Sequence, residues 1–319
     1  MTDYLTLHSP GKAVEVAPAV LVARAALAEA TTDLSAVPDA SLVAAWLWRG
    51  EDADVRYGLY RICEALEEAA ANVARAQAEG GVDRSPAARR IAAATAARWE
   101  LHGLLAGLTT DDLDADPGGG EWTIRQALGH IVLSQRAYGD GTAWWLTYPA
   151  DGEFPKRLPE SIVEEMAWPT EEEDGTGSLP EIRARLDGWL DLDAALLGEL
   201  RDDELALRAR WSGIAVDVGF RIGRWASHLA EHTLQIDKTL VMLGRSPSEV
   251  ERLVRLIHAA YGRLEALVFP MPAADVERPG HDGRSAATIV VAAAAEMKAT
   301  AASVRSAALE ARALPGVGA

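Results

Sequence analysis

The chain has a single cysteine, Cys63, among its 319 residues. One cysteine excludes an intrachain disulfide, and it excludes a zinc site built from several thiolates. No histidine lies near Cys63 in the sequence, so we expect it to be an ordinary buried thiol rather than a nucleophile.

Long hydrophobic runs are also missing. The longest apolar stretch, around residues 289–295, is far shorter than the roughly 20 residues that cross a bilayer. The N-terminus, MTDYLTLHSPGKAVEV, lacks the basic segment followed by an apolar segment that is typical of a secretion signal. We therefore expect a cytoplasmic protein that does not bind membranes.

Positive charge is scarce. Lysine and arginine total 31 against 48 aspartates and glutamates, which gives a formal net charge of −17 and a pI near 4.8. This balance repels phosphate backbones, and no run of basic residues interrupts it, so we expect no nucleic-acid partner. The predicted partner is a small-molecule substrate.

Helix signals, in contrast, recur along the whole chain. Alanine is abundant and β-branched alternation is rare, which predicts an all-α fold. Pro18, Asp54, Ser85-Pro86, Thr123, Ser178, Asp217, Ser246 and Ser285 are the predicted helix starts. Residues 149–177 contain four prolines and the acidic run 171–174, which predicts a long exposed loop with at most a short helical turn.

The helices suggest three parts: an N-terminal helical segment over residues 1–85, a central four-helix bundle over 86–245, and a C-terminal hairpin over 246–319. The hairpin and the N-terminal segment together predict a degenerate second bundle. One alignment pairs residues 34–70 with 108–138 and residues 253–300 with 190–237. In this alignment, the positions of the histidines of the central bundle are occupied by Cys63, Ala293 and Met297. Chance alignment of Ala/Leu-rich helices is the alternative.

Three histidines form the candidate site. His228 and His232 are four residues apart, so they share one face of a helix, and His130 lies among apolar residues on another helix. Neutral imidazole is the commonest ligand for zinc, nickel and iron, and bundles build metal sites from facing helices. Two core histidines would give the same spacing. Leu229 follows His228 where a zinc protease has its glutamate.

Two segments resemble a known family. GGGEWTIRQALGHIVLSQRAY is similar to the second helix of DinB-like proteins, also called the YfiT-like or DinB/maleylpyruvate-isomerase superfamily, and GRWASHLAEHTLQIDKTLVMLG is similar to their fourth helix. The resemblance covers roughly residues 86–245. It implies a four-helix bundle that holds a divalent ion, either zinc, nickel or iron, through His130, His228 and His232.

The resemblance also implies a class of chemistry. Characterised members transfer or isomerise with low-molecular-weight thiols such as mycothiol or bacillithiol, so a thiol is the expected co-substrate, with transfer or hydrolysis as the expected reaction. Helix geometry puts Arg224 and Gln235 on the face of His228, and Tyr138 two turns after His130, as candidate catalytic residues. Packing or salt bridges explain the same residues without catalysis.

A different class of function fits the same sequence: a non-catalytic, metal-stabilised binding or sensor module, either a monomer or a homodimer. Loss of both metal and function is a third reading. Fold resemblance alone does not choose among them.

Overall fold

The computed structural model describes residues 16–148 and 153–313, and it is nearly all helical, as predicted. Its longer helices are α1 (Pro18–Ser35), α2 (Val55–Glu79), α3 (Pro86–Leu105), α4 (Ile124–Thr147), α7 (Leu179–Leu197), α9 (Val218–Met242), α10 (Glu249–Val268) and α12 (Ala286–Ala313). The short ones are α5 (Glu160–Met166), α6 (Glu171–Asp174), α8 (Asp202–Leu205) and α11 (Ala273–Val276). Two antiparallel hairpins complete the elements: β1 (Ala45–Trp48) with β2 (Glu51–Asp54), and β3 (Arg208–Trp211) with β4 (Ile214–Asp217).

The helices group into two compact units. One contains the described residues of 84–94 and 108–245 and is called the histidine unit below; the other contains those of 17–83, 95–107 and 246–313 and is called the flanking unit. In the histidine unit, α4 packs against α7 and α9 around a core that includes Ile131, Leu186 and Trp225. In the flanking unit, α12 packs against α1 and α2, and α10 packs against α2.

Most predicted helix starts are confirmed by their caps. The Asp217 carboxylate accepts from the backbone N–H of Phe220 at 2.6 Å, and Thr123 with Gln126 forms the expected capping box at the start of α4. Ser85 accepts from the N–H of Ala88 at 2.9 Å. Each such cap stabilises a helix by about 1 kcal/mol.

The start predicted at Ser246 is wrong by two residues. The capping box at the start of α10 uses Ser248 and Glu251 instead. Glu249 is unavailable to Ser246, because its carboxylate pairs with Arg56. The backbone N–H groups of Glu249 and Val250 donate to the carboxylate of Asp39 at 2.8 and 3.0 Å.

The two hairpins show a repeat in a different register from the one expected. In both, a tryptophan ends the first strand, the two turn residues have positive φ (Arg49-Gly50 and Ser212-Gly213), and an aspartate N-cap starts the long helix that follows. Hence α2 corresponds to α9, whereas the alignment made from the sequence pairs α2 with α4. The positions of His228 and His232 then fall on Ala65 and Ala69 in the flanking unit.

The loop predicted over 149–177 is more structured than expected. It contains α5 and α6, and Asp174, expected in an exposed acidic run, is 1% exposed and forms a buried ion pair with Arg136. The start of α6 has a sequence signal, since Thr170 and Glu173 form a capping box.

One described helix, over Ala286–Ala311 of α12, is long and apolar enough by composition to cross a membrane. The core helix of a globular unit passes the same test. Within the flanking unit α12 packs on α1 and α2, and its Val290, Met297 and Val304 are buried. Residues 1–15, which include His8, lie outside the described residues, and the cytoplasmic location stays a prediction.

Candidate metal centre

The three histidines converge on one point in the histidine unit. His228 and His232 project from successive turns of α9, and His130 projects from α4. The Nε2 atom of His228 lies 3.0 Å from Nε2 of His232 and 3.3 Å from Nε2 of His130. All three ligand atoms lie within 4.8 Å of one another, and they form the single cluster of this kind among the described residues.

Two neighbours fix the orientation of the imidazoles. The Glu171 carboxylate, which can only accept, lies with Oε1 2.7 Å from Nδ1 of His130. Gln235 Oε1 lies 2.7 Å from Nδ1 of His232. Each Nδ1 therefore donates, and the Nε2 lone pairs of His130 and His232 point toward the centre of the cluster, the arrangement found around metal-ligating histidines.

The spacing of the nitrogens fits a metal ion. A tetrahedral ion with metal–nitrogen bonds of about 2.0–2.1 Å holds its ligand nitrogens about 3.3 Å apart. The separation of 3.3 Å between His228 and His130 equals that value, and the separation of 3.0 Å between His228 and His232 is slightly shorter. Three histidines leave one position of a tetrahedron for water or substrate.

Burial favours the neutral form of His228 and His232. His228 is 7% exposed, and burial, with His232 and His130 beside it, lowers its pKa to about 3. Burial also lowers the pKa of His232 below its ordinary value. Neutral imidazoles carry the lone pairs that a metal ion requires.

Aromatic rings enclose the cluster. The indole of Trp122 is stacked parallel to His232, with ring centroids 6.3 Å apart, and lies 5.2 Å from His130. The Tyr138 ring meets His228 edge to face at 5.5 Å. Trp225, in contrast, is fully buried in the core. These rings limit the directions from which water reaches the imidazoles.

The predicted catalytic residues occupy different places. Gln235 contacts His232, as described, and Tyr138 contacts His228. Arg224 forms a two-pronged ion pair with Glu231 on its own helix, at 2.7 and 2.8 Å, and this pairing raises its pKa. Their catalytic roles stay predictions.

Glu171 was not anticipated. It follows four prolines in a segment that resembles a solvent-exposed loop, and only its position in space puts it beside His130. The main chain of α6 lies directly on Gly129, where any Cβ would collide with the carbonyl oxygen of Glu171. The glycine before His130 therefore allows α6 to approach.

A cleft of about 510 Å³ begins beside the cluster and is bounded by α4, α5 and the β3–β4 hairpin. Ser134 lines it, and the Ser134 hydroxyl lies 3.3 Å from Nε2 of His130. Tyr138 also lines it, between the cleft and His228. A small molecule in this cleft would reach the histidines from the side of Ser134.

Cys63 and the other described histidines lie outside the three-histidine cluster. His102 and His258 are buried in the flanking unit, and His281 is exposed there. Burial raises the pKa of Cys63 to about 11, with Glu67 adding to the shift.

The sequence model of the DinB superfamily matches residues 93–236 of the chain. This range contains all three histidines and both residues that orient them. Searches of the curated proteins and of the solved structures gave no significant match. The resemblance seen in the two helices is thus confirmed independently. Residues 93–236 are thus similar to the DinB superfamily.

Proposed function

We propose that the protein is a metal-dependent enzyme in which His130, His228 and His232 hold a divalent ion. The substrate is a small molecule, and the reaction is transfer of a low-molecular-weight thiol or hydrolysis by water. The observation that carries this proposal is the convergence of the imidazole nitrogens at 3.0 and 3.3 Å beside an open cleft.

A divalent ion bound by three neutral imidazoles keeps its full charge and lowers the pKa of a water or thiol at its open position. The residues of the chain then have distinct tasks. Glu171 and Gln235 hold the lone pairs of His130 and His232 in place, and Trp122 limits access of bulk water. The Ser134 hydroxyl, on the cleft side, is within reach to hydrogen-bond a bound thiol or water.

Arg224 has a narrower role than its helix position suggests. Because both prongs of its guanidinium bind Glu231, it binds a substrate carboxylate only by giving up that ion pair. Its centre lies 5.3 Å from the Trp211 ring, so it also supports the wall of the cleft. We assign it to support of that wall.

Elemental analysis of the purified protein tests the metal. We expect about one equivalent of zinc, nickel or iron in the wild type and a large loss in His130→Ala, His228→Ala and His232→Ala. His281→Ala, which removes an exposed histidine outside the cluster, is the matched control and keeps its metal. Equal metal content in all five proteins would refute the three-histidine site.

Cobalt substitution tests for an open coordination position. Adding N-acetylcysteine to the cobalt-loaded protein should produce a thiolate-to-cobalt charge-transfer band. In the presence of the wild type, the thiol should also react with an added electrophile faster than it does in the presence of the His130→Ala variant. Bound cobalt with no such band, together with a melting temperature that collapses on metal removal, would favour the metal-stabilised binding module instead.

A further inference from the structure

The cleft beside the histidines differs in charge from the rest of the protein. Among the described residues that line it, four are basic and none is acidic. The whole chain has 48 acidic residues against 31 basic ones. Positive charge concentrated at one cleft of an acidic protein would favour an anionic ligand over a neutral or cationic one.

One of these cations is structural. Arg221 is 7% exposed, and its guanidinium donates to the Thr142 hydroxyl at 2.9 Å and to the carbonyl oxygens of Arg210 and Ala137 at 2.6 and 3.0 Å. These bonds tie β3 to α4 and so hold the two walls of the cleft together. We therefore exclude Arg221 from ligand binding.

The remaining three cations are available to a ligand. Lys156 and Arg157 are exposed at the rim, and neither pairs with an acidic side chain of the described residues. Arg210 is half-buried: its Nε donates to the carbonyl oxygen of Pro155 at 3.3 Å, and its guanidinium lies 5.3 Å from the centre of the Phe154 ring. Unpaired cations at a cleft attract and orient anions.

The walls of the cleft are aromatic. The Trp168 indole is fixed by a hydrogen bond from Nε1 to Asp140 at 2.6 Å, and the Trp211 indole donates to the Tyr138 hydroxyl at 3.3 Å. Trp145 also lines the cleft; it is buried, and its ring centre lies 4.7 Å from that of Phe154. Rings held in this way favour a flat ligand.

The flanking unit provides an internal comparison. Its β1–β2 hairpin also borders a cleft, of about 690 Å³, but that cleft is lined by Glu51, Asp52 and Asp54 and by a single cation, Arg56. That unit has alanine where α9 has its two histidines. The hairpin of the flanking unit thus borders an acidic cleft, so a basic lining is not a general feature of this hairpin.

We propose that the cleft of the histidine unit binds a flat or aromatic anion, with its carboxylate or phosphate group at Lys156, Arg157 and Arg210 and its reacting end beside Ser134. This inference names the substrate class of the proposed metal site, and it rests on that function. A volume of about 510 Å³ suits a ligand of small-metabolite size.

Calorimetric titration with four matched naphthalenes tests the charge preference: 2-naphthoate, 2-naphthyl phosphate, 2-naphthylmethanol and 2-naphthylmethylamine. We expect an anion to bind at least tenfold more tightly than the alcohol and the amine to bind most weakly, with a gap that narrows at high salt. A tenfold preference for the phosphate over 2-naphthoate identifies the anion as a phosphate, and the reverse identifies a carboxylate. Equal affinity for anion, alcohol and amine would overturn the proposal.

Variants locate the binding. Lys156→Ala/Arg157→Ala should weaken anion binding about fivefold or more and leave the alcohol unchanged. Arg201→Ala/Lys298→Ala removes two exposed charges outside the cleft and should change neither. An anion preference that survives the first double variant at full strength would contradict the assigned position.

Zinc binding is measured on the same preparations, because the two proposals fail differently. Zinc bound without a preference for anions would refute the substrate class alone. Anions preferred by a protein that binds no zinc would refute the metal function, since the cations and aromatic walls do not depend on the ion.

Discussion

The Oε1 atom of Glu171 lies 2.7 Å from Nδ1 of His130, although the two residues are 41 positions apart in the chain. Glu171 lies on the short helix α6 and His130 on the long helix α4. The carboxylate orients the imidazole and adds a negative charge behind it, which strengthens binding to a cation. Glu171 thus connects the segment after α4 to the proposed metal site.

Replacing Glu171 with glutamine tests this connection. The amide oxygen of the variant still accepts from Nδ1, but the negative charge is lost, so we expect zinc affinity to fall about 10- to 100-fold. Competition with a zinc-binding dye measures the affinity. Glu172→Gln removes the same charge from the next residue and should bind zinc as the wild type does; identical affinity in both variants would argue against the role of Glu171.

Gly129→Ala should separate α6 from α4. The new methyl group would collide with the carbonyl oxygen of Glu171, so α6 must shift, at a cost of about 1–3 kcal/mol in the free energy of unfolding. Zinc affinity should fall with it. Gly188→Ala is the matched control, since that helical glycine has nothing within 4 Å of a new Cβ, and alanine there should stabilise α7 by about 0.5–1 kcal/mol.

Cys63 should react slowly. With a pKa of about 11, roughly one thiol in a thousand is ionised at pH 8, against about a quarter for an ordinary cysteine. We expect alkylation by iodoacetamide, followed by mass spectrometry, to be more than a hundredfold slower than in the denatured protein, and to rise about tenfold per pH unit toward pH 10. A native rate equal to the denatured one would show that burial does not suppress the thiolate, and Cys63 would return as a candidate nucleophile.

Local signals explain what the sequence could predict. A cap such as Thr123 with Gln126 involves residues three apart, and the pairing of His228 with His232 needs only the helical repeat. His130 was indicated by its apolar neighbours on a second helix and by resemblance to a known helix. Each of these signals lies within a single helix, so the all-α fold and the three histidines could be predicted from the sequence.

The remainder of the site depends on contacts between distant segments. Glu171 and Lys156 lie in a proline-rich stretch whose path no local pattern determines. Arg210 lies on a strand that Arg221 ties to α4. The repeat was misaligned for a related reason. Helices rich in alanine and leucine match in many registers, whereas the informative signal is the short hairpin that ends in Asp54 and Asp217.

The flanking unit should depend on a buried charge cluster. Glu265 is 1% exposed, and it forms ion pairs with Arg98 and Arg24 and accepts from the Tyr261 hydroxyl at 2.8 Å. Burial raises the pKa of Glu265, but the two guanidinium groups outweigh burial, and the pKa lies below the usual 4.5. Glu265→Gln leaves two cations without their counter-charge and should cost about 3–5 kcal/mol at pH 7.

The sign of the pH dependence follows from that lowered pKa. Because the folded protein binds this proton more weakly than the unfolded chain, the stabilisation by Glu265 is complete above about pH 4.5 and is lost as the pH falls through the folded pKa. Urea unfolding of the wild type and of Glu265→Gln should therefore differ most near neutrality, and the difference should narrow as the pH falls below about 4.5. Glu67→Gln, which removes an exposed partner of Arg263, should track the wild type at every pH. A gap between wild type and Glu265→Gln that stays constant from pH 7 to pH 3 would mean that the Glu265 charge does not stabilise the folded protein.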